Sequence, residues 1–209
     1  MKDRKELLDR EALEKVAREF LEIVDPNPDR PGLIETPKRV AKYWIELLEG
    51  QKYTNEEIAK MYDKCFDLDE DGDEGEVSEE TNLKQDLVVE SGITIFSHCE
   101  HHLALMYDLD VTIAYIPNKK VIGLSKMARI AEMVGKRLQL QEKIGSDIAE
   151  IMKMILGTED VAVLIKGKHG CMTARGAKAR EAITRTSSLS GRFMDNPSLR
   201  MEMLSLLNS

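Results

Sequence analysis

A chain of 209 residues, 42% apolar and 33% charged, has material for one compact domain, or one domain with a helical extension. Its formal charge of −8 argues against non-specific binding to nucleic acid or to an anionic membrane, while leaving room for a local basic pocket. No apolar run approaches the ~18 residues of a membrane span, and Met1-Lys2-Asp3-Arg4-Lys5 opens a charged helix rather than a signal peptide. With an odd count of three cysteines, the expected setting is reducing and cytoplasmic.

Residues 3–24 repeat Leu7, Leu8, Leu13, Val16, Ala17, Phe20, Leu21 and Val24 at helical spacing. The run Asp25-Pro26-Asn27-Pro28-Asp29-Arg30-Pro31-Gly32 ends that helix. Thr36-Pro37 reads as an N-cap with proline at the first helical position, opening a helix to about residue 49. A short helix follows at 55–62. Residues 67–80 are acidic and begin like a calcium loop, but Ser78 stands where the bidentate glutamate should be, so they read as a solvated loop.

Strands are expected at 87–90, 93–96 and 110–116, with another at 121–124 after the turn Pro117-Asn118-Lys119-Lys120. Ser125 is expected to cap a helix with Met127, Ile130, Ala131 and Val134 inward, and a longer helix spans about 139–156. Strands at 161–166 and 184–189 and a helix at 197–208 complete the chain. Helices followed by strands mixed with two long helices indicate an α+β fold with an antiparallel sheet. The organisation expected is a helical extension over 1–64, an acidic loop over 65–84 and a catalytic domain over 85–209.

Soft, metal-competent side chains are scarce and clustered. Cys99-Glu100-His101-His102 holds one of three cysteines and two of four histidines, and His169-Gly170-Cys171 adds one of each. Cys99 and His102 can reach one ion from a turn, and Cys171 can join them from a neighbouring strand. Three such ligands would hold zinc with its fourth position open to water, as catalytic sites do. The alternative is a closed site completed by His98, His101, His169 or Cys65. Neither run has the CxxC spacing of closed structural sites, which favours the open one.

His101 and His169 then stand beside the metal as candidate proton carriers. Ser125 and Lys126 at a helix start, Arg129 one turn on, and Arg175 past Cys171 make a candidate anion site. Gln141 and Glu142 open the next helix, where a carboxylate favours the helix dipole or accepts hydrogen bonds from a base.

Together, Ser97-His98-Cys99-Glu100-His101-His102, Ala114-Tyr115-Ile116-Pro117, Ile122-Gly123-Leu124-Ser125-Lys126, Gln139-Leu140-Gln141-Glu142, His169-Gly170-Cys171 and Ala174-Arg175-Gly176 resemble the zinc-dependent GTP cyclohydrolase I family. Gly32-Leu33-Ile34-Glu35-Thr36-Pro37-Lys38-Arg39-Val40-Ala41 is similar to that family's entry into its N-terminal helices. The resemblance implies a tunnelling fold, a homodecamer with active sites between subunits, and conversion of GTP and water to 7,8-dihydroneopterin triphosphate and formate. It implies zinc on Cys99, His102 and Cys171, and proton transfer by His101 and His169. It further implies triphosphate binding by Lys126, Arg129 and Arg175, guanine binding by Glu142 with Gln141 beside it, and Ser125 near the ribose.

A related tunnelling-fold enzyme acting on another purine or pterin is opposed by the Cys-Glu-His-His run. A zinc protein without turnover would need four protein ligands. The sequence does not separate folate (tetrahydrofolate and one-carbon metabolism), pterin-cofactor and deazaguanine pathways. Three departures stand out: about one extra residue between His102 and Ala114, where Asp108 and Asp110 suggest a bulge; Thr173 in place of a basic or large residue; and the acidic stretch.

Overall fold

The computed structural model describes residues 3–67 and 87–207. The helix expected from residue 3 is broken: Arg4–Glu6 is a 3₁₀ turn capped by Asp3, and Leu8 takes a left-handed φ of 62°. Helix α1 (Arg10–Val24) starts only where the Asp9 carboxylate accepts from the Ala12 N–H at 2.8 Å. Thr36 turns out to be the first residue of α2 (Thr36–Leu47) rather than its cap; Glu35 precedes it without a side-chain capping bond. A 3₁₀ turn, Glu49–Lys52, leads to α3 (Asn55–Tyr62), which opens on a capping box of Thr54 and Glu57.

Cys65–Asp67 form β1, a strand the sequence did not announce, paired antiparallel with β4 (Lys120–Ile122). The calcium-loop comparison and the acidic loop beyond Asp67 fall among residues 68–86, outside the described residues.

The main sheet runs β5-β2-β3-β6-β7, from β2 (Val88–Cys99), β3 (Leu105–Tyr115), β5 (Leu138–Gln139), β6 (Val161–His169) and β7 (Thr184–Leu189). All its pairings are antiparallel except β2 with β5. The two segments expected at 87–90 and 93–96 are one strand, interrupted by an irregularity between Glu90 and Ile93 where Gly92 has φ 74°.

Two long helices, α4 (Leu124–Gly135) and α5 (Gln141–Leu156), cover one sheet face. Ile130, Val134, Ile144, Ile148 and Ile151 pack there against Ile95, Val111, Ile113, Val163 and Ile165. A one-turn helix α6 (Gly170–Thr173) follows β6. Beyond β7 come α7 (Arg192–Asp195) and α8 (Pro197–Leu206), where Phe193 and Met203 close a second, smaller cluster over Ala114 and Ala162.

Ser125 does not cap α4. The Gly123 N–H is drawn to the Lys64 carbonyl at 3.1 Å, Gly123 itself is the extended N-cap residue, and the helix begins at Leu124. The bulge expected between His102 and Ala114 is present: Tyr107 faces Lys168 and Asp110 faces Lys166, so β3 carries one residue more than β6, with Asp108 at φ 53°. No helix among the described residues is long and apolar enough to cross a membrane.

Candidate metal centre and surrounding site

The end of β2 builds half of the site. The Cys99 carbonyl accepts from the His102 and Leu103 N–H groups, and the Cys99 N–H donates to the Ala104 carbonyl at 2.9 Å. This tight turn reverses the chain into β3, with Leu103 left-handed at φ 52° and Glu100 and His101 out at its tip. Pairing of β3 with β6 then sets Met106 opposite His169, so the strand that ends in His169-Gly170-Cys171 arrives beside the turn. Cys171 thus enters from α6 immediately after the strand.

Cys99 Sγ lies 3.8 Å from His102 Nδ1, and the ligand atoms of Cys99, His102 and Cys171 all fall within 4.8 Å of one another. No fourth histidine, cysteine or carboxylate joins that group among the described residues. Cys65 sits on β1 opposite Ile122, and His98 is buried with its ring edge-on to Tyr43. The donor set suits a divalent ion of intermediate softness: two sulfurs and one imidazole nitrogen. Burial first, and then the adjacent Cys99, push the Cys171 thiol above its usual pKa, while Arg175 pulls it down. A cation held there would offset that penalty by favouring the thiolate form of both sulfurs.

His169 is held in one tautomer. Gln141, only 1% exposed, spends its amide N–H groups on the Ile165 and Thr184 carbonyls and the Thr186 hydroxyl, at 3.1–3.3 Å. Its Oε1 must then accept, so His169 Nε2 carries the proton and donates at 2.8 Å, leaving Nδ1 with its lone pair. Burial lowers the His169 pKa, and the nearby Glu142 charge opposes that shift. Glu142 is exposed in the first turn of α5. His101 is exposed, its Nε2 3.9 Å from Glu100, its ring 6.2 Å from that of His102.

The remaining basic residues lie elsewhere. Ile122 donates its N–H to the Tyr115 hydroxyl at 3.3 Å, which places the start of α4 at the Tyr115 end of β3. The candidate metal trio is at the Leu105–Met106 end, about 30 Å away at ~3.3 Å per strand residue. Within one chain, therefore, Ser125 and Lys126 do not converge with the trio, whereas Arg175, Gln141, Glu142, His101 and His169 neighbour it. Arg129 is exposed one turn along α4. Sequence reasoning missed the hydroxyl partners around the site, Thr186 on Gln141 and Tyr107 on Thr173. Single hydroxyl residues in strands carry no signal of such long-range bonds.

The sequence profile of the family described as GTP cyclohydrolase I matches residues 13–208. The chain belongs to the GTP cyclohydrolase I family. It is 53% identical to the GTP cyclohydrolase 1 of Clostridium acetobutylicum over 199 residues, covering 95% of this chain and 97% of that one. The enzyme of the same name from Clostridium botulinum (strain Loch Maree) is 51% identical over the same shares, and that of Clostridium beijerinckii 48% over 96% and 98%. The α+β architecture, a curled, largely antiparallel sheet under two long helices, fits the tunnelling fold of the GTP cyclohydrolase I family.

Proposed function

We propose that this chain binds zinc through Cys99, His102 and Cys171. It hydrolyses GTP at C8 of the purine, releases formate and rearranges the remainder to 7,8-dihydroneopterin triphosphate. The observation that carries this reading is the convergence of three soft ligand atoms, with no fourth among the described residues, next to a histidine of fixed tautomer. Zinc held there supplies Lewis acidity, which makes water nucleophilic at neutral pH.

The side chains divide the rest of the work. His169 stays neutral near pH 7 because burial disfavours its charge, so Nδ1 accepts a proton when water adds and returns it as the imidazole ring opens. His101, exposed to solvent at the turn's tip, carries protons in the ribose rearrangement and reclosure. Glu142 accepts hydrogen bonds from the guanine edge, with Gln141 holding the geometry beside it. Adenine leaves that carboxylate unpaired and is rejected.

Arg175 takes triphosphate oxygens on the metal side. Ser125, Lys126 and Arg129, at the far end of the sheet, reach ribose and triphosphate from a neighbouring copy, so the active unit is a homo-oligomer, a decamer on the family's pattern.

Purified protein of known zinc content, given GTP and assayed separately for pterin and for formate, tests the reaction. Both products, lost on chelation and restored by zinc, support it; zinc at one per chain with neither product sinks it. His101→Ala is expected to keep its zinc and lose about 10²–10⁴-fold in kcat, the scale of a general acid–base group. Release of zinc by that variant would instead exchange the roles of His101 and His102. Arg175→Ala should raise KM for GTP about 10–100-fold, the worth of a charge-assisted hydrogen bond, and leave guanosine binding unchanged; equal weakening of both rules out the phosphate role.

A further inference from the structure

Of the three ligands, Cys171 is the one whose own element cannot hold it. Cys99 is buried at the end of a long strand, and its turn is closed by three backbone hydrogen bonds. Cys171 sits on α6, four residues long, whose closing bond runs from the Ala174 N–H to the Gly170 carbonyl at 3.0 Å. One turn fixes many dihedrals for one bond and does not persist unaided. Something outside α6 must set its place.

The bulge in β3 supplies that support. Because Asp108 is the extra residue, Met106 and Leu109 both reach the core, Leu109 lying over Gly167 where a Cβ would come within 2.2 Å of it. Tyr107, next to Met106 in the strand, projects to the opposite side. Its hydroxyl donates to Thr173 Oγ1 at 3.1 Å, in a half-buried contact between residues 66 apart in sequence. β3 is itself paired with β2, with Ser97 opposite Met106 and His98 opposite Leu105. A continuous path therefore runs from Cys99 through β2, β3, Tyr107 and Thr173 to Cys171. Two local departures noted in the sequence, the extra residue near Asp108 and the threonine at 173, meet in this one hydrogen bond.

We propose that Tyr107 is a positioning residue for the metal centre, its hydroxyl clasping Thr173 so that α6 presents Cys171 at the distance from Cys99 that a single ion requires. The proposal rests on the ligand set given above. Tyr107 touches neither ion nor substrate in this role. Its loss loosens the geometry of one ligand and leaves all three in place.

The test is zinc affinity of the full-length protein, measured by competition with a chromophoric chelator, together with the visible spectrum of the cobalt(II)-loaded protein. Tyr107→Phe and Thr173→Val should each weaken zinc about tenfold, the low end for groups that orient metal ligands. The double variant should be no weaker than either single one, because the two side chains share one bond. Thr173→Ser, which keeps the acceptor, should match the wild type. Cobalt loaded into Tyr107→Phe should show weakened thiolate charge-transfer absorption, a change that general loosening of the fold would not single out.

Wild-type affinity in Tyr107→Phe alongside zinc loss in Cys171→Ser would overturn the clasp and leave the ligand set standing. Additive losses in the double variant would overturn it too, since they report two independent effects. Unchanged zinc binding in Cys171→Ser would overturn the ligand set and the clasp together. Should Tyr107→Phe fail to fold, Thr173→Val, which preserves side-chain shape, reads the same bond from its other end.

Discussion

Asp147→Ala should destabilise the protein by about 3–5 kcal/mol, the scale for stripping one partner from a buried ion pair. Arg137 and Asp147 have side chains only 9% and 4% exposed, with Nη1 and Oδ2 2.9 Å apart. The guanidinium is used on every side. Nη1 also meets Asn55 Oδ1 at 2.8 Å, Nε donates to the Gly50 carbonyl at 3.2 Å and Nη2 to the Tyr53 carbonyl at 3.0 Å. Burial pulls the Arg137 pKa below its usual value and Asp147 opposes that shift. Without the carboxylate, a charged group stays buried with only neutral acceptors.

This network ties the turn after α2 and the start of α3 to α5 through Arg137 at the end of α4, and Gly50 shows how closely that turn meets α4. A Cβ there would stand 2.1 Å from the Met133 carbonyl. Loss of Asp147 is therefore expected to loosen the N-terminal helices first. Urea unfolding checks it: a lowered midpoint is expected for Asp147→Ala, and little change for Lys143→Ala, whose side chain is 61% exposed with its Nζ 2.7 Å from the same carboxylate. Equal effects of the two would show that the buried pair carries no special weight.

Cys171→Ser is expected to lose both metal and turnover. Spread over the four ligands of a structural site, the roughly 10–16 kcal/mol of bound zinc gives about 2.5–4 kcal/mol each, or about 10²–10³-fold in affinity. A serine hydroxyl does not ionise near neutrality and cannot replace the thiolate. Zinc content after gel filtration, and pterin formation from GTP, measure the two losses. Retained zinc with lost turnover would move Cys171 from ligand to reactant.

The grouping of Cys99, His102 and Cys171 was legible in the sequence because the chain has so few cysteines and histidines, and Cys99 and His102 share one short turn while Cys171 alone comes from afar. The bounds Asn55–Tyr62 and Thr184–Leu189 were legible as well; the first is fixed by a local capping box. What escaped was set by distant partners. Ser125 has the chemistry of a cap, but the Lys64 carbonyl holds Gly123 and the helix starts early. Gln139 reads as the start of the long helix, yet pairs with Cys99 in a strand. Arg137 and Asp147 carry no burial signal in the sequence; the end of α4 against the turn at Gly50 and α5 against α3 bury them. The clasp from Tyr107 to Thr173 depends on a bulge whose partner strand lies some sixty residues away.

The span of about 30 Å between the start of α4 and the Cys99-His102-Cys171 group has a kinetic meaning. On the proposed reading, a solitary chain owns both halves of a reaction centre and can close neither. Specific activity then depends on how much protein is in the tube as well as on how well each chain is folded. Dilution silences the catalyst without unfolding it, and reconcentration brings it back, because what dissociates is the pocket itself.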